Sequence, residues 1–436
     1  YGNWFWFKYQ FFRNSLVTMS APSAQLLGEI GLHPSRSHIV EVPSHDGKIH
    51  RWHYLDRPGL SNDLPTVLCL HGNPTWSFLW SRLFTELNEK FRVVAPDHLS
   101  MGFSEQVGPR RYRDRVADIN DFVNALGMSG PIWLVAQDWG GAIAMGYAVA
   151  HPERVAGLVL SNTGIAVPSG RKAPRLIQIS ASGGLHRTMT RNTSLFVRGT
   201  AYLPGAGLTR QQRQGLVAPY VRRDQRDGVA GFVADVPFNE KHQTFADLAE
   251  VAAQLPNLRV PVRLWWGAKD PVFNDDFADD LMKRFADVQI QRVANSGHLA
   301  VIETSIAPFL ENAISQSQSV KQQVFEAQGS EESLWSRIMN PSRENTLAIH
   351  DGADQSSVTF SELDSRVATF AQALVQSGVE AGERVAVLVP PSIDLIALVY
   401  ACWRIGAVTV IADRGLGING LGRAVKSSRV QHVVGI

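Results

Sequence analysis

Residues 132–141 read IWLVAQDWGG, and an apolar stretch, AIAMGYAVA, follows directly. The first part reads as a buried strand, the last as a helix, and the two meet at Asp138. A strand-to-helix turn this sharp needs small residues two positions to either side, here Ala136 and Gly140. The residue at its apex projects above the sheet. A serine there would point to acyl transfer. A carboxylate, with a reference pKa of about 4, is already a nucleophile at neutral pH and displaces a leaving group from a saturated carbon to form an alkyl ester. The competing reading makes Asp138 a helix cap.

Two downstream segments favour the nucleophile. Residues 262–273, VRLWWGAKDPVF, give an apolar strand ending at Gly267 with Asp270 just beyond it. Residues 288–300, VQIQRVANSGHLA, give another strand followed by Gly297 and His298. Acid and then histidine is the chain order such a site requires. Asp270 would hold the imidazole tautomer, and His298 would activate the water that attacks the ester. Upstream, residues 66–76, TVLCLHGNPTW, read as a buried strand and a loop in which Asn73 is held extended by Pro74. The N–H groups of that loop, with the N–H of Trp139, would form an oxyanion hole. The Asn73 amide and the Trp139 indole would hold a departing anion. As alternatives, Asn73 is a turn residue and Trp139 a core residue.

On these residues the segment 39–312 resembles the haloalkane dehalogenase group of α/β hydrolases, through HGNPTW, PDHLSMGFS (96–104), VAQDWGG, GAKDPVF and NSGHLAVIE. The resemblance implies an α/β-hydrolase fold with a helical cap and an Asp138–His298–Asp270 triad. Dehalogenases, epoxide hydrolases and the β-lactone decarboxylases of bacterial long-chain olefin synthesis share that machinery.

A chain of 436 residues is longer than one such domain. Residues 1–38 read as an N-terminal extension. Residues 313–332, rich in Ser, Gln and Glu, read as a linker. From 333 to 436 strands at 346–349, 384–389 and 407–411 alternate with helices at 360–376 and 393–405, which begins a second α/β domain. The stretch from TFSELDSRV to AVTVIAD resembles the opening of an adenylate-forming acyl synthetase, and no adenylation activity is expected from this part alone. A dehalogenase-like domain ahead of a synthetase-like one is similar to the natural fusion of β-lactone decarboxylase with β-lactone synthetase. The resemblance therefore implies decarboxylation of a cis-3,4-dialkyl β-lactone to a cis-alkene, without a cofactor, in association with other olefin-biosynthesis enzymes. Dehalogenation and epoxide hydrolysis are the alternatives; an inactive scaffold or an interaction module is the non-enzymatic one.

About a hundred residues separate strands 157–160 and 262–266, the place of a cap at about 164–258. Phe232, Val233, Val236 and Phe238 would line an apolar pocket for alkyl chains or pack the cap onto the core. Tyr202 and Tyr220 keep epoxide hydrolysis in view, since that reaction uses cap tyrosines to protonate the leaving oxygen. The cap carries no Trp to share a halide with Trp139.

Residues 415–420, GLGING, match a dinucleotide loop but lack the later acidic partner, so no nicotinamide site is expected. Composition is 44% hydrophobic and 19% charged, with net charge +2, which leaves material for a core and no large field for nucleic acid. Cys69 and Cys402 fall in different domains, as in a reducing cytoplasm. The 13 His are scattered, and no metal site is expected. Residues 1–12, YGNWFWFKYQFF, are too short to span a bilayer and read as sequence upstream of an initiator at Met19.

Overall fold

The computed structural model describes residues 21–60, 65–128, 130–168, 185–203, 205, 207–328, 345–352, 355–411, 428 and 430–435. The 1–12 aromatic segment and the GLGING loop lie outside them. The chain divides into two compact units, residues 1–317 and 318–436.

The first unit is built on eight strands: β1 (Ser37–Pro43), β2 (Ile49–Arg57), β3 (Thr66–Leu70), β4 (Arg92–Pro96), β5 (Ile132–Gln137), β6 (Val155–Ser161), β7 (Val262–Gly267) and β8 (Val288–Val293). They lie in the order β1-β2-β4-β3-β5-β6-β7-β8. The β1–β2 and β2–β4 pairings are antiparallel and all others parallel. Strands β5 and β7 are buried at every position, as expected where helices cover both faces of a parallel sheet. Strand order reverses between β3 and β5, and in open α/β sheets a crevice for ligands opens at the carboxyl ends of such neighbours. Asn73 follows β3 and Asp138 follows β5, so both project into that crevice.

Helix α1 (Tyr112–Ala125) packs on α2 (Trp139–Ala150). The Tyr112 hydroxyl donates to Ala142 O at 2.9 Å, and a Cβ on Gly146 would lie 2.5 Å from that hydroxyl. In the cap, α3 (Asp227–Ala234) buries Val229, Phe232 and Val233. A long helix, α4 (Ala307–Gln328), runs through most of the segment read as a linker. Its Gln, Lys, Glu and Ala are good helix formers, and Ala313 and Ile314 are buried in the core, so the chain does not break at 313.

The second unit pairs β9 (Leu347–His350) with β10 (Ser357–Thr359), and β11 (Arg384–Leu388) lies between β12 (Val408–Ile411) and β13 (His432–Gly435) in a parallel sheet. Helices Phe360–Gln376 and Ile393–Arg404 stand close to the spans their periodicity predicts. Thr359 and Glu362 form a capping box at the first, and Leu363, Val367, Ala371 and Leu374 form its buried stripe.

Candidate active site

Asp138 is the last residue before α2, with φ 53° and ψ −128°, a left-handed conformation rare outside glycine. Its neighbours enforce that geometry. Asp138 N donates to Asn162 O (3.1 Å), and the Thr163 hydroxyl donates to Asp138 O (2.6 Å). A Cβ on Gly140 would sit 2.2 Å from Leu70 O, and one on Gly141 2.3 Å from the Thr163 hydroxyl. The small residues thus let α2 start directly against the end of β3. Beyond Trp139, no N–H of α2 bonds the Asp138 side chain, which removes the helix-cap reading.

Its carboxylate faces the crevice instead. Oδ1 accepts from the Asn73 N–H at 2.8 Å, and the Trp139 N–H is a second main-chain donor to the carboxylate. Oδ2 lies 3.8 Å from His298 Nε2. Burial pushes the Asp138 pKa up, against the opposing pull of His298 and the two N–H donors. His298 Nδ1 lies 2.9 Å from Asp270 Oδ2, while Asp270 Oδ1 accepts from Val272 N at 2.7 Å. Burial alone would disfavour the imidazolium. The Asp270 carboxylate, with its hydrogen bond, and then Asp138 outweigh burial and raise the His298 pKa to about 9.

Three positioning contacts lie outside the residues singled out in the sequence. Gln137 Nε2 donates to His298 O (3.0 Å) and lies 3.2 Å from His298 Nε2. A donor there favours a neutral Nε2, whereas two carboxylates favour its proton. The two negative charges are the stronger influence at these distances, and the Gln137 amide serves chiefly to hold the His298 main chain. Asn162 clamps β7, accepting from Gly267 N (2.8 Å) and donating to Gly267 O (3.1 Å). Glu303 accepts from Gly297 N at 2.8 Å and fixes the turn before His298. The one available sequence signal was Gln137, a polar residue closing an otherwise apolar buried strand.

The pocket over Asp138 measures about 120 Å³ and is lined by Trp139, Ile165, Val236, Leu248, Val272 and Phe273 among others; Asp138 is its sole ionisable wall residue among the described residues. Val236 stands where the alkyl-pocket reading put it. Phe232 does not: it is fully buried, its ring 5.7 Å from that of Trp139 and 3.4 Å beneath the Arg115 guanidinium, because it lies on the inward face of α3. Val233 is packed away likewise. Phe238 lies beyond the helix and is 40% exposed, with no place in this wall. Of the cap tyrosines, Tyr202 is 72% exposed under Arg213, and the buried Tyr220 hydroxyl donates to Thr75 O (2.7 Å) and accepts from Gly102 N (3.1 Å). Neither tyrosine lines the pocket, which removes the observation that had kept epoxide hydrolysis in view. The Asn73 amide Nδ2 donates to Val229 O at 3.3 Å, so the group of Asn73 that reaches Asp138 is its main-chain N–H.

Residues 65–305 match the α/β hydrolase fold family. The chain belongs to that family. Within this α/β hydrolase, residues 339–435 match the AMP-binding enzyme family. The chain is 30% identical over 250 residues to the cis-3-alkyl-4-alkyloxetan-2-one decarboxylase of Shewanella oneidensis, covering 55% of this chain and 78% of that protein. It is 30% identical over 261 residues to haloalkane dehalogenase 2 of Mycobacterium tuberculosis, covering 58% and 87%. Haloalkane dehalogenase DbeA of Bradyrhizobium elkani superposes with a TM-score of 0.58 at 22% identity, over 65% of this chain and 99% of that one, a likeness of fold. Among the described residues no helix is long and apolar enough to cross a membrane.

Among the described residues one group has metal-ligand proximity: His45, Asp118 and Asp121, whose ligand atoms lie within 4.8 Å of one another. They come from the β1–β2 turn and from α1, too far apart in the chain for spacing to reveal. His45 Nδ1 lies 2.8 Å from Asp121 Oδ2 and Arg110 Nε 3.5 Å from Asp118 Oδ2, so an imidazole and a guanidinium of the chain itself already face these carboxylates.

One consequence for pH follows from His298. Its folded-state pKa of about 9 exceeds the reference value of about 6.5, so the stabilisation it contributes is fully present below pH 6.5 and is lost as pH rises through 9. Asp270→Asn removes the main counter-charge. Thermal melts of the two proteins between pH 6 and 10 should show the largest Tm gap at the acid end and a closing gap toward pH 9. A gap independent of pH would mean that His298 titrates without Asp270.

Proposed function

We propose that this α/β hydrolase decarboxylates a cis-3,4-dialkyl β-lactone to a cis-alkene, with Asp138 as nucleophile, His298 and Asp270 as its partners, and no cofactor. The observation that carries the reading is the Asp138 carboxylate at a strained elbow, held by main-chain donors and facing an apolar pocket. Such a wall suits a neutral, hydrophobic electrophile.

Asp138 Oδ2 attacks the ring carbon that bears the lactone oxygen. The C–O bond breaks with inversion, and its electron pair leaves on the released carboxylate. The bond from that carboxylate to the adjacent ring carbon then breaks, freeing carbon dioxide. Its electrons form the double bond and expel Asp138 as a carboxylate. The Asn73 and Trp139 N–H groups stabilise Asp138 as it departs, because they already bind the charged form. His298, charged at neutral pH, balances the negative charge passing between Asp138 and the opened lactone. The Trp139 indole and the Asn73 amide would bind the leaving carboxylate. Val236 is assigned to the alkyl chains.

The AMP-binding match in the same chain supports decarboxylation over dehalogenation, since a synthetase that activates an acid is a natural source of a β-lactone. The same reading places the protein in the cytoplasm, supported by two buried, unpaired cysteines, and beside other enzymes of olefin formation. Gas chromatography of the full chain with a cis-3,4-dialkyl β-lactone and, in parallel, a 1-haloalkane tests it. Alkene from the lactone is expected; halide release without alkene would assign a dehalogenase instead.

A further inference from the structure

A second cavity, of about 490 Å³, shares no wall residue with the Asp138 pocket. Its wall carries Arg110, Arg115, Arg187 and Arg191 against a single carboxylate, Asp227. Asp227 is taken by Arg191, and Arg110 pairs with Asp46 at 3.0 Å.

Arg115 makes no direct ion pair, although Asp235, Asp118 and Asp114 act on it from farther away. It is 2% exposed, and among the described residues no carboxylate lies within 4 Å of its guanidinium. One edge donates through Nη2 to Arg110 O at 3.2 Å, one face covers the Phe232 ring at 3.4 Å, and Nε is buried with no hydrogen-bond partner. A buried guanidinium with an unsatisfied donor and carboxylates only at a distance is stabilised by an anion in direct contact. The remaining wall sets apolar Leu99, Val107 and Ala230 beside Ser100 and His186, and the volume is far larger than an inorganic anion needs.

We propose that this cavity binds an aliphatic monocarboxylate, its carboxylate on Arg115 and its chain along the apolar wall. The wall's arginines outnumber its carboxylates, and the planar donors of a buried guanidinium match a carboxylate. The site is independent of lactone turnover. Phe232, whose ring neighbours both Arg115 and Trp139, is the side chain shared by its surroundings and those of the catalytic pocket.

Isothermal titration of the full chain with decanoate, 1-decanol and inorganic phosphate tests the proposal. Decanoate should bind one to one and at least tenfold more tightly than either of the others. Arg115→Met should weaken decanoate at least tenfold and leave decanol unchanged. Ala234→Trp, at an exposed wall position, should weaken decanoate by plugging the cavity and decides the matter if Arg115→Met fails to fold. Equal binding of decanoate and decanol, tighter binding of phosphate, decanoate binding retained in the folded variants, or no decanoate binding would each overturn it.

Discussion

Asp138→Asn should lower turnover by about a thousandfold or more, because it removes the atom that forms the covalent bond and leaves no nearby nucleophile to replace it. The fold should survive. Asparagine keeps an oxygen for the Asn73 N–H, and the native carboxylate carries a desolvation cost that raises its pKa above the usual carboxylate value. At neutral pH a group with a raised acid pKa costs stability in its charged form, so the variant should melt at an equal or higher temperature. Loss of activity with a lowered Tm would point to a structural role for Asp138. Retained activity would remove it from the chemistry altogether. Circular-dichroism melts alongside the alkene assay separate these outcomes.

Gly72→Ala should be the second most damaging change, although Gly72 touches no substrate. A Cβ there would lie 2.4 Å from both Cβ and Oδ1 of Asp138, too close for either to remain in place. The carboxylate would have to turn away from the Asn73 N–H, losing both its orientation and the donor that stabilises it as leaving group. A fall in kcat of about a hundredfold follows from lost positioning and electrostatic support, with about 1–3 kcal/mol of strain lowering stability. KM should change much less, because Gly72 is absent from the pocket wall. Steady-state kinetics would show that split, and a KM effect larger than the kcat effect would contradict the placement of Gly72 beneath the nucleophile.

Much of this site was legible because each of its parts is announced locally. A buried strand is a run of apolar residues, an elbow needs small residues beside its apex, and Asp270 and His298 each stand a few residues beyond a strand. Strand positions β3, β5, β7 and β8 and the two helices of the second unit came from periodicity alone. The segment read as a linker, 313–332, does contain the boundary between the two units at 317/318, but Ser and Gln gave no hint that a helix, anchored by the buried Ala313 and Ile314, continues through most of it. Nothing local separated Phe232, Val233, Val236 and Phe238, four apolar residues in seven positions. Only the direction in which α3 faces the sheet made Phe232 core, Val236 pocket and Phe238 surface.

By itself the sequence determined the strand–elbow–helix unit around Asp138, the order of acid and histidine behind it, and a second α/β unit further on. These follow from side-chain size and apolar period, which act over a few residues. The tertiary structure decided which atom of Asn73 meets Asp138 across 65 residues, that Gln137 holds His298, and that Arg115 Nε is buried without a hydrogen-bond partner. Such contacts depend on how distant segments are packed and turned toward one another, and no local pattern carries that information.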